Sequence, residues 1–271
     1  MKKFIPVTLT ALLLLFSCTK KEKNEENFTF QTETFADLKI IRYQVPDFDK
    51  LSLQQQKLVY YLSEAGYAGR DIIWDQNYRH NLSIRRALEH IIKNFDGDKS
   101  TEDWKNLRTY TKRVWFSNGI HHHYSMDKFK PEFSAEYLSE LMVSTGTSLN
   151  KEALRALFDP NFDAKKVNLD PAKGLVLGSA VNFYDPDINE AEVDAYFASI
   201  RNKDTEKPIS YGLNSKLVRG ENGLEEKVYK LNGMYGEAIA QIIPWLEKAV
   251  SVAENKAQAD ALKLLIDYYK T

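Results

Sequence analysis

The sequence predicts an α+β chain dominated by helices, with one small β-sheet. Three observations carry that prediction. Beyond residue 50, apolar residues recur at three- and four-residue intervals, the spacing that gathers them on one face of a helix. Ser, Thr or Asn stands ahead of most of these runs, where its side-chain oxygen can accept from the free N–H groups of a first turn. Only around Gly220-Glu221-Asn222-Gly223 do two β-compatible runs, 209–219 and 224–231, face each other across a short Gly-containing loop that suits a hairpin.

Taken in order, Ser52 and Gln55 form a capping box ahead of Leu58, Tyr61, Leu62 and Ala65, with Gly66 and Gly69 closing that helix. Ser83 opens the clearest helix, in which Ile84, Ala87, Leu88, Ile91, Ile92 and Phe95 share one face and Gly97 marks the stop. Thr101 caps a helix with Glu102 and Asp103 in its first turn, where acids complement the helix dipole, and with Trp104, Leu107, Thr111, Val114 and Trp115 turned inward. Two shorter capped helices follow over 134–146 and 150–158, the second ending before Pro160. The run GLVLGSAVNF over 174–183 is β-compatible but interrupted by glycine. Asn189 caps a helix that buries Val193, Phe197 and Ile200. The tail over 235–269 is helical, with a kink or restart expected at Pro244, which removes one ladder donor.

Composition excludes several classes. The chain has 271 residues, 43% of them apolar and 28% charged, with a formal net charge of −1. Such a chain is neither disordered nor collagen-like nor a multi-span membrane protein, and it lacks the basic excess that nucleic-acid binding favours. A single cysteine leaves no disulfide within the chain and no Cys-rich zinc ribbon. That cysteine follows Lys2, Lys3, the apolar run LTALLLLF and Ser17, and precedes the polar TKKEKNEEN. The apolar run is too short to span a bilayer and reads as a signal segment. Its end resembles a bacterial lipobox. The expected organisation is a lipoprotein signal peptide over 1–17, lipidation at Cys18, a charged tether over 18–34 and a body over 35–271. The protein would then be lipid-anchored in the cell envelope, in contact with the membrane through its anchor.

Catalytic motifs are scarce. No HExxH, Gly-x-Ser-x-Gly, P-loop or GxGxxG occurs. The paired acids Glu190/Glu192 and Glu225/Glu226 read as a helix N-terminus and a solvated strand edge, and His80 and His90 as solvated surface. The segment that stands out is VWFSNGIHHHYSMDKF over 114–129. If extended, it places His121 and His123 on one face. They could then hold a metal ion with a distant carboxylate, sit on a polar loop edge among stacked aromatics, or line a substrate groove as hydrogen-bond donors.

Phe116-Ser117-Asn118-Gly119, Tyr124 and Asp127-Lys128-Phe129 resemble a segment of the dipeptidyl peptidase III family, particularly its Bacteroidetes-type members. Similar too are Phe35-Ala36-Asp37-Leu38-Lys39, Arg42-Tyr43-Gln44-Val45-Pro46, the stretch from Leu51 to Gln55, Tyr60 to Ala65, and Gly69-Arg70-Asp71-Ile72 with Asp75-Gln76-Asn77. The resemblance implies a zinc exopeptidase that removes dipeptides from peptide N-termini, built of two lobes around a cleft. The family's His-Glu-x-x-Gly-His and Glu-Glu-x-x-Arg-Ala-Asp motifs do not occur here. What it implies for residues 35–271 is therefore a lower-lobe-like portion: a truncated or split form, inactive alone, with no cofactor or catalytic residue of its own. Phe116, Ser117, Asn118, His121, His123, Tyr124 and Lys128 would contact short peptides. A separate zinc-bearing polypeptide would complete the enzyme. The alternative is a lipid-anchored scaffold lipoprotein that binds peptides in its short form.

Overall fold

The computed structural model describes residues 28–202, 206 and 208–271. Cys18, the signal segment and the first part of the tether lie outside the described residues. The chain divides into two units, one ending at Gln44 and the other running from Val45 to Thr271.

In the first unit, β1 (Gln31–Phe35) pairs antiparallel with β2 (Leu38–Ile41). Among the described residues there are thus two small two-stranded sheets rather than one, and the first begins inside the stretch read as tether. The sequence carries no turn signal there, because Ala36, not glycine, takes the left-handed conformation (φ 50°).

The second unit is helical, as predicted. α1 (Leu53–Ala68) begins at the expected capping box: the Gln55 N–H donates to Ser52 Oγ at 3.2 Å, and the Ser52 N–H donates to Gln55 Oε1 at 3.0 Å. It runs through Gly66 and ends at Gly69, where α2 (Arg70–Asn77) starts at once. α2 has no side-chain cap, which is why capping signals did not mark it. α3 (Asn81–Asn94) starts two residues ahead of Ser83, whose hydroxyl instead donates to the His80 carbonyl. α4 (Glu102–Ser117), α5 (Ala135–Thr145) and α6 (Lys151–Phe158) are capped by Thr101, Ser134 and Asn150.

These four helices, α3 to α6, and the end of α2 enclose the main core. Tyr78, Ile84, Leu88, Ile91, Leu107, Ile120, Leu138 and Leu157 are all fully buried there. Trp115 departs from its expected place and is exposed, because it sits off the stripe of Leu107, Thr111 and Val114. His80 and His90 are not solvated surface. His80 is buried and His90 Nε2 lies 2.7 Å from the Thr145 carbonyl, on the seam where α3 meets α5.

The run 174–183 is not a strand. Gly174 turns the chain at φ 77°, and the Asn168 amide donates to the carbonyls of both Asp170 and Gly174. A Cβ on Gly178 would stand 2.6 Å from that amide nitrogen, so glycine is required for the close approach. Only its end pairs: Ala180 N–H donates to the Lys165 carbonyl and Val181 N–H to that of Lys166. Beyond it, α7 (Glu190–Ile200) opens at an Asn189/Glu192 capping box and buries Val193 but leaves Ile200 exposed. β3 (Ser215–Gly220) and β4 (Gly223–Val228) form the predicted hairpin, tightened to a two-residue loop with Gly220 opposite Gly223.

α8 (Gly236–Ser251) contains Pro244 without restarting there; the break comes later, and Asn255 caps α9 (Lys256–Lys270). Pro244 and Ala240, whose carbonyl loses its donor, both lie on the solvent side, so water can serve that carbonyl. α8 packs between α1 and α9 around Ala65, Ile239, Ile242, Ile243, Leu246 and Ile266. No helix among the described residues is long and apolar enough to cross a membrane.

Candidate functional site

The site grows out of the C-terminus of α4. Asn118 ends that helix in the left-handed conformation (φ 51°), which asparagine tolerates better than most residues. Gly119 follows at φ 149°, pressed so close to Asn81 that a Cβ would stand 2.2 Å from its amide nitrogen. Asn81, fully buried, ties the corner together. Its Oδ1 accepts from the Ile120 N–H at 3.1 Å, and its amide donates to the Trp74 carbonyl at 3.1 Å.

The chain then closes a tight turn over 120–129. Phe129 N–H donates to the Ile120 carbonyl at 2.9 Å, and His122 N–H to the Asp127 carbonyl at 2.7 Å. The returning arm pairs outward. Lys128 N–H donates to the Ala164 carbonyl, and Lys166 N–H to that of Met126. The tip is not extended: Met126 has φ 63°, and its N–H donates back to the His122 carbonyl. Alternation therefore fails, and His121 and His123 do not share a face.

Instead, the rings of His122 and His123 stack at 4.4 Å with 25° between their planes. Phe116 from the last turn of α4 meets the His123 ring at 5.1 Å, Tyr124 meets it at 4.4 Å, and Phe129 meets His122 at 5.9 Å. Phe116 is 41% exposed and Tyr124 82% exposed. The Ser117 hydroxyl lies 3.3 Å from His123 Nδ1, which orients that ring from below. His122 Nδ1 accepts from the Tyr124 and Ser125 N–H groups, both at 3.1 Å, so a neutral His122 carries its proton on Nε2.

His121 and Lys128 point inward. His121 is 1% exposed, with Nε2 2.8 Å from the Asp163 carbonyl and its ring edge-on to Tyr78 at 5.4 Å. The Lys128 ammonium donates to the Asp159 carbonyl at 2.6 Å and to that of Phe162. Asn118 is exposed, but its carbonyl accepts from Asn77 and Asn81. His121 and Lys128 can reach a ligand only by giving up these partners. Spacing alone does not single out His122, because an extended segment would put it on the face opposite His121 and His123; the turn chemistry of Asn118-Gly119 is legible, but the left-handed Met126 carries no sequence signal.

Electrostatically the surface is mild. Lys165 lies 2.6 Å from Asp127, and its hydrogen bond holds that carboxyl below its ordinary range. Burial lowers the pKa of His121 to about 4, with Lys128 and Lys166 nearby adding to the effect. Burial likewise lowers Lys128. Zinc does not fit the residues described: no three His, Cys, Asp or Glu side chains among them come together to hold a metal ion. The histidine nitrogens show why. One ring is buried against a carbonyl, one Nδ1 is occupied by main-chain N–H groups, and the two outer rings lie face to face rather than converging.

No protein-family model matches the sequence, and no curated protein matches it. Among solved structures, the fold is similar to that of DPP III from Caldithrix abyssi, with a TM-score of 0.50 and 18% identity over 82% of this chain. The match spans 32% of that protein, so this chain corresponds to about a third of its length. At that identity the likeness is one of fold: a DPP III-like, helix-dominated α+β arrangement.

Proposed function

We propose that the chain is a DPP III-like lower-lobe portion whose aromatic surface at Phe116, His122, His123 and Tyr124 binds short peptides. The single observation that carries this reading is the half-buried His122–His123 stack flanked by the exposed Phe116 and Tyr124. Rings held rigid by Ser117 and by main-chain donors offer flat apolar walls to a peptide at little entropic cost, with ring N–H groups at the edge to orient it. The fold similarity supports the DPP III-like portion, and the class of ligand is inferred from the stack. On this reading the chain binds without cleaving, since binding alone does not stabilise a transition state, and a separate zinc-bearing polypeptide would complete a peptidase. Anchoring to the cell envelope through Cys18 belongs to the same proposal and rests on the sequence alone.

The test is an NMR titration with millimolar tetra- and pentapeptides. Shifts confined to 116–129 are expected, with affinity falling about fivefold to tenfold in Tyr124→Ala, the loss of about 1–1.4 kcal/mol usual for an exposed aromatic contact. Peptide shifts that avoid this segment, or binding unchanged in both Tyr124→Ala and Phe116→Ala, overturn the assignment. Chelator-sensitive release of Arg-Arg from a fluorogenic substrate by the pure chain would overturn the absence of cleavage. Loss of palmitate labelling in Cys18→Ala checks the anchor.

A further inference from the structure

We propose that His121 is an acid-sensitive latch: neutral, its ring holds the 120–129 turn against the 159–166 loop, and protonated, it lets the turn open. The inference is independent of peptide binding. The Asp163 carbonyl can only accept, so His121 Nε2 must carry the proton at their 2.8 Å contact. Nδ1 is then a bare lone pair, and it is buried without a hydrogen-bond partner. A second proton would create an N–H with no acceptor in a site closed to water.

The surroundings give that cation no relief. On the turn, Lys128 faces the ring, and Asp127 is paired with Lys165. From the 159–166 loop, Lys166 faces it as a second cation, and Asp159 is held by Arg155 of α6. The Asp163 carboxylate is taken by the Tyr78 hydroxyl at 2.7 Å and by Arg79 at 2.9 Å. Next along the same junction, His80 leans on the Tyr78 ring and faces Glu152 of α6 at 3.4 Å. In the open turn the imidazolium meets water, so each proton bound favours opening.

The experiment is hydrogen exchange of the 122, 128, 129 and 166 amides in the full chain from pH 7.5 to 4, expressed as protection relative to free peptide. These four bonds are the ones the latch closes. The ring titrates at about 4 when locked and near 6.5 when free, so opening should grow on the order of 100-fold as the pH falls through that interval. His121→Gln keeps a donor for the Asp163 carbonyl and cannot titrate; its protection should be flat with pH. His80→Gln should leave the pH dependence in place. If His121→Gln does not fold, Lys166→Met removes a facing cation and should move the wild-type ring's midpoint upward. Protection in His121→Gln that follows the wild-type profile, a profile abolished by His80→Gln, or an unmoved midpoint in Lys166→Met each overturns the latch.

Discussion

The α3–α6 core and the α1–α8–α9 layer are both built from helices with an apolar face, yet they close differently. In the first, Ile84, Ile91, Leu107 and Leu138 have no exposed surface at all. In the second, only Ile239 and Ala249 approach that state, and a cavity of about 650 Å³ stays open between α1, α2 and the last two helices. Leu62, Ile73 and Leu265 line it while 38% to 53% exposed, and Leu264 and Tyr268 on α9 are more exposed or equally so. The difference teaches that a helical apolar stripe specifies a buried face only where enough neighbours surround it. α3 is enclosed by α2, α4 and α5, whereas α9 packs mainly on α8.

The largest effect tests that contrast directly. Leu107→Ala should cost about 3–4 kcal/mol in urea unfolding, since a fully enclosed leucine leaves a cavity that cannot collapse. Leu265→Ala should cost about 1 kcal/mol or less, because much of its surface already meets water. Equal losses would break the comparison.

Gly119→Ala comes next, at about 3 kcal/mol. The φ of 149° is strained for any Cβ, and the contact with Asn81 would force out the bonds that hold the corner. A ¹H–¹⁵N spectrum unchanged around Trp74 and Ile120 would refute that account of the corner.

Acid should weaken the core side selectively. His121 is neutral in the fold and its pKa lies below the free value, so the unfolded chain binds more protons between pH 6.5 and about 4. Stability is full above 6.5 and falls by about 3 kcal/mol as the pH drops to 4. Buried His80, whose pKa is also lowered by burial, acts in the same direction. Chemical denaturation across that range checks the slope, and a profile matched by His121→Gln would contradict it.

The smallest effects sharpen the comparison by showing what does not differ. Thr101→Ala on the core side and Ser52→Ala on the open side should each cost about 1 kcal/mol, because caps act on their own first turn. Gly66→Ala should stabilise by about 0.5–1 kcal/mol: the glycine sits inside α1, and a Cβ there meets no atom within 4 Å. A thermal shift in the opposite direction would mean that the open layer is filled in solution.

Although it put the break of the tail at Pro244 rather than ahead of Asn255, the sequence by itself determined the helices from α3 to α7 and the helical character of the tail, most of the N-terminal caps and the β3–β4 hairpin. These are local matters: a Thr101 or Asn150 oxygen finds N–H groups three residues away, and a Gly220-to-Gly223 loop closes on itself whatever surrounds it. It also singled out the 114–129 segment, because Asn118-Gly119 is turn chemistry and a run of three histidines is rare. Tertiary structure alone decided which of those residues face outward. His121 and His123 are chemically identical and two residues apart, but one seals against Asp163 and Tyr78 while the other stacks half-buried on His122. The chain enters a turn at His123, closed by the Met126 N–H on the His122 carbonyl, and the alternation that spacing assumes ends there. The same holds for α9. Its stripe was legible, but whether Leu264, Leu265 and Tyr268 are covered depends on neighbours distant in the chain, and periodicity carries no record of those.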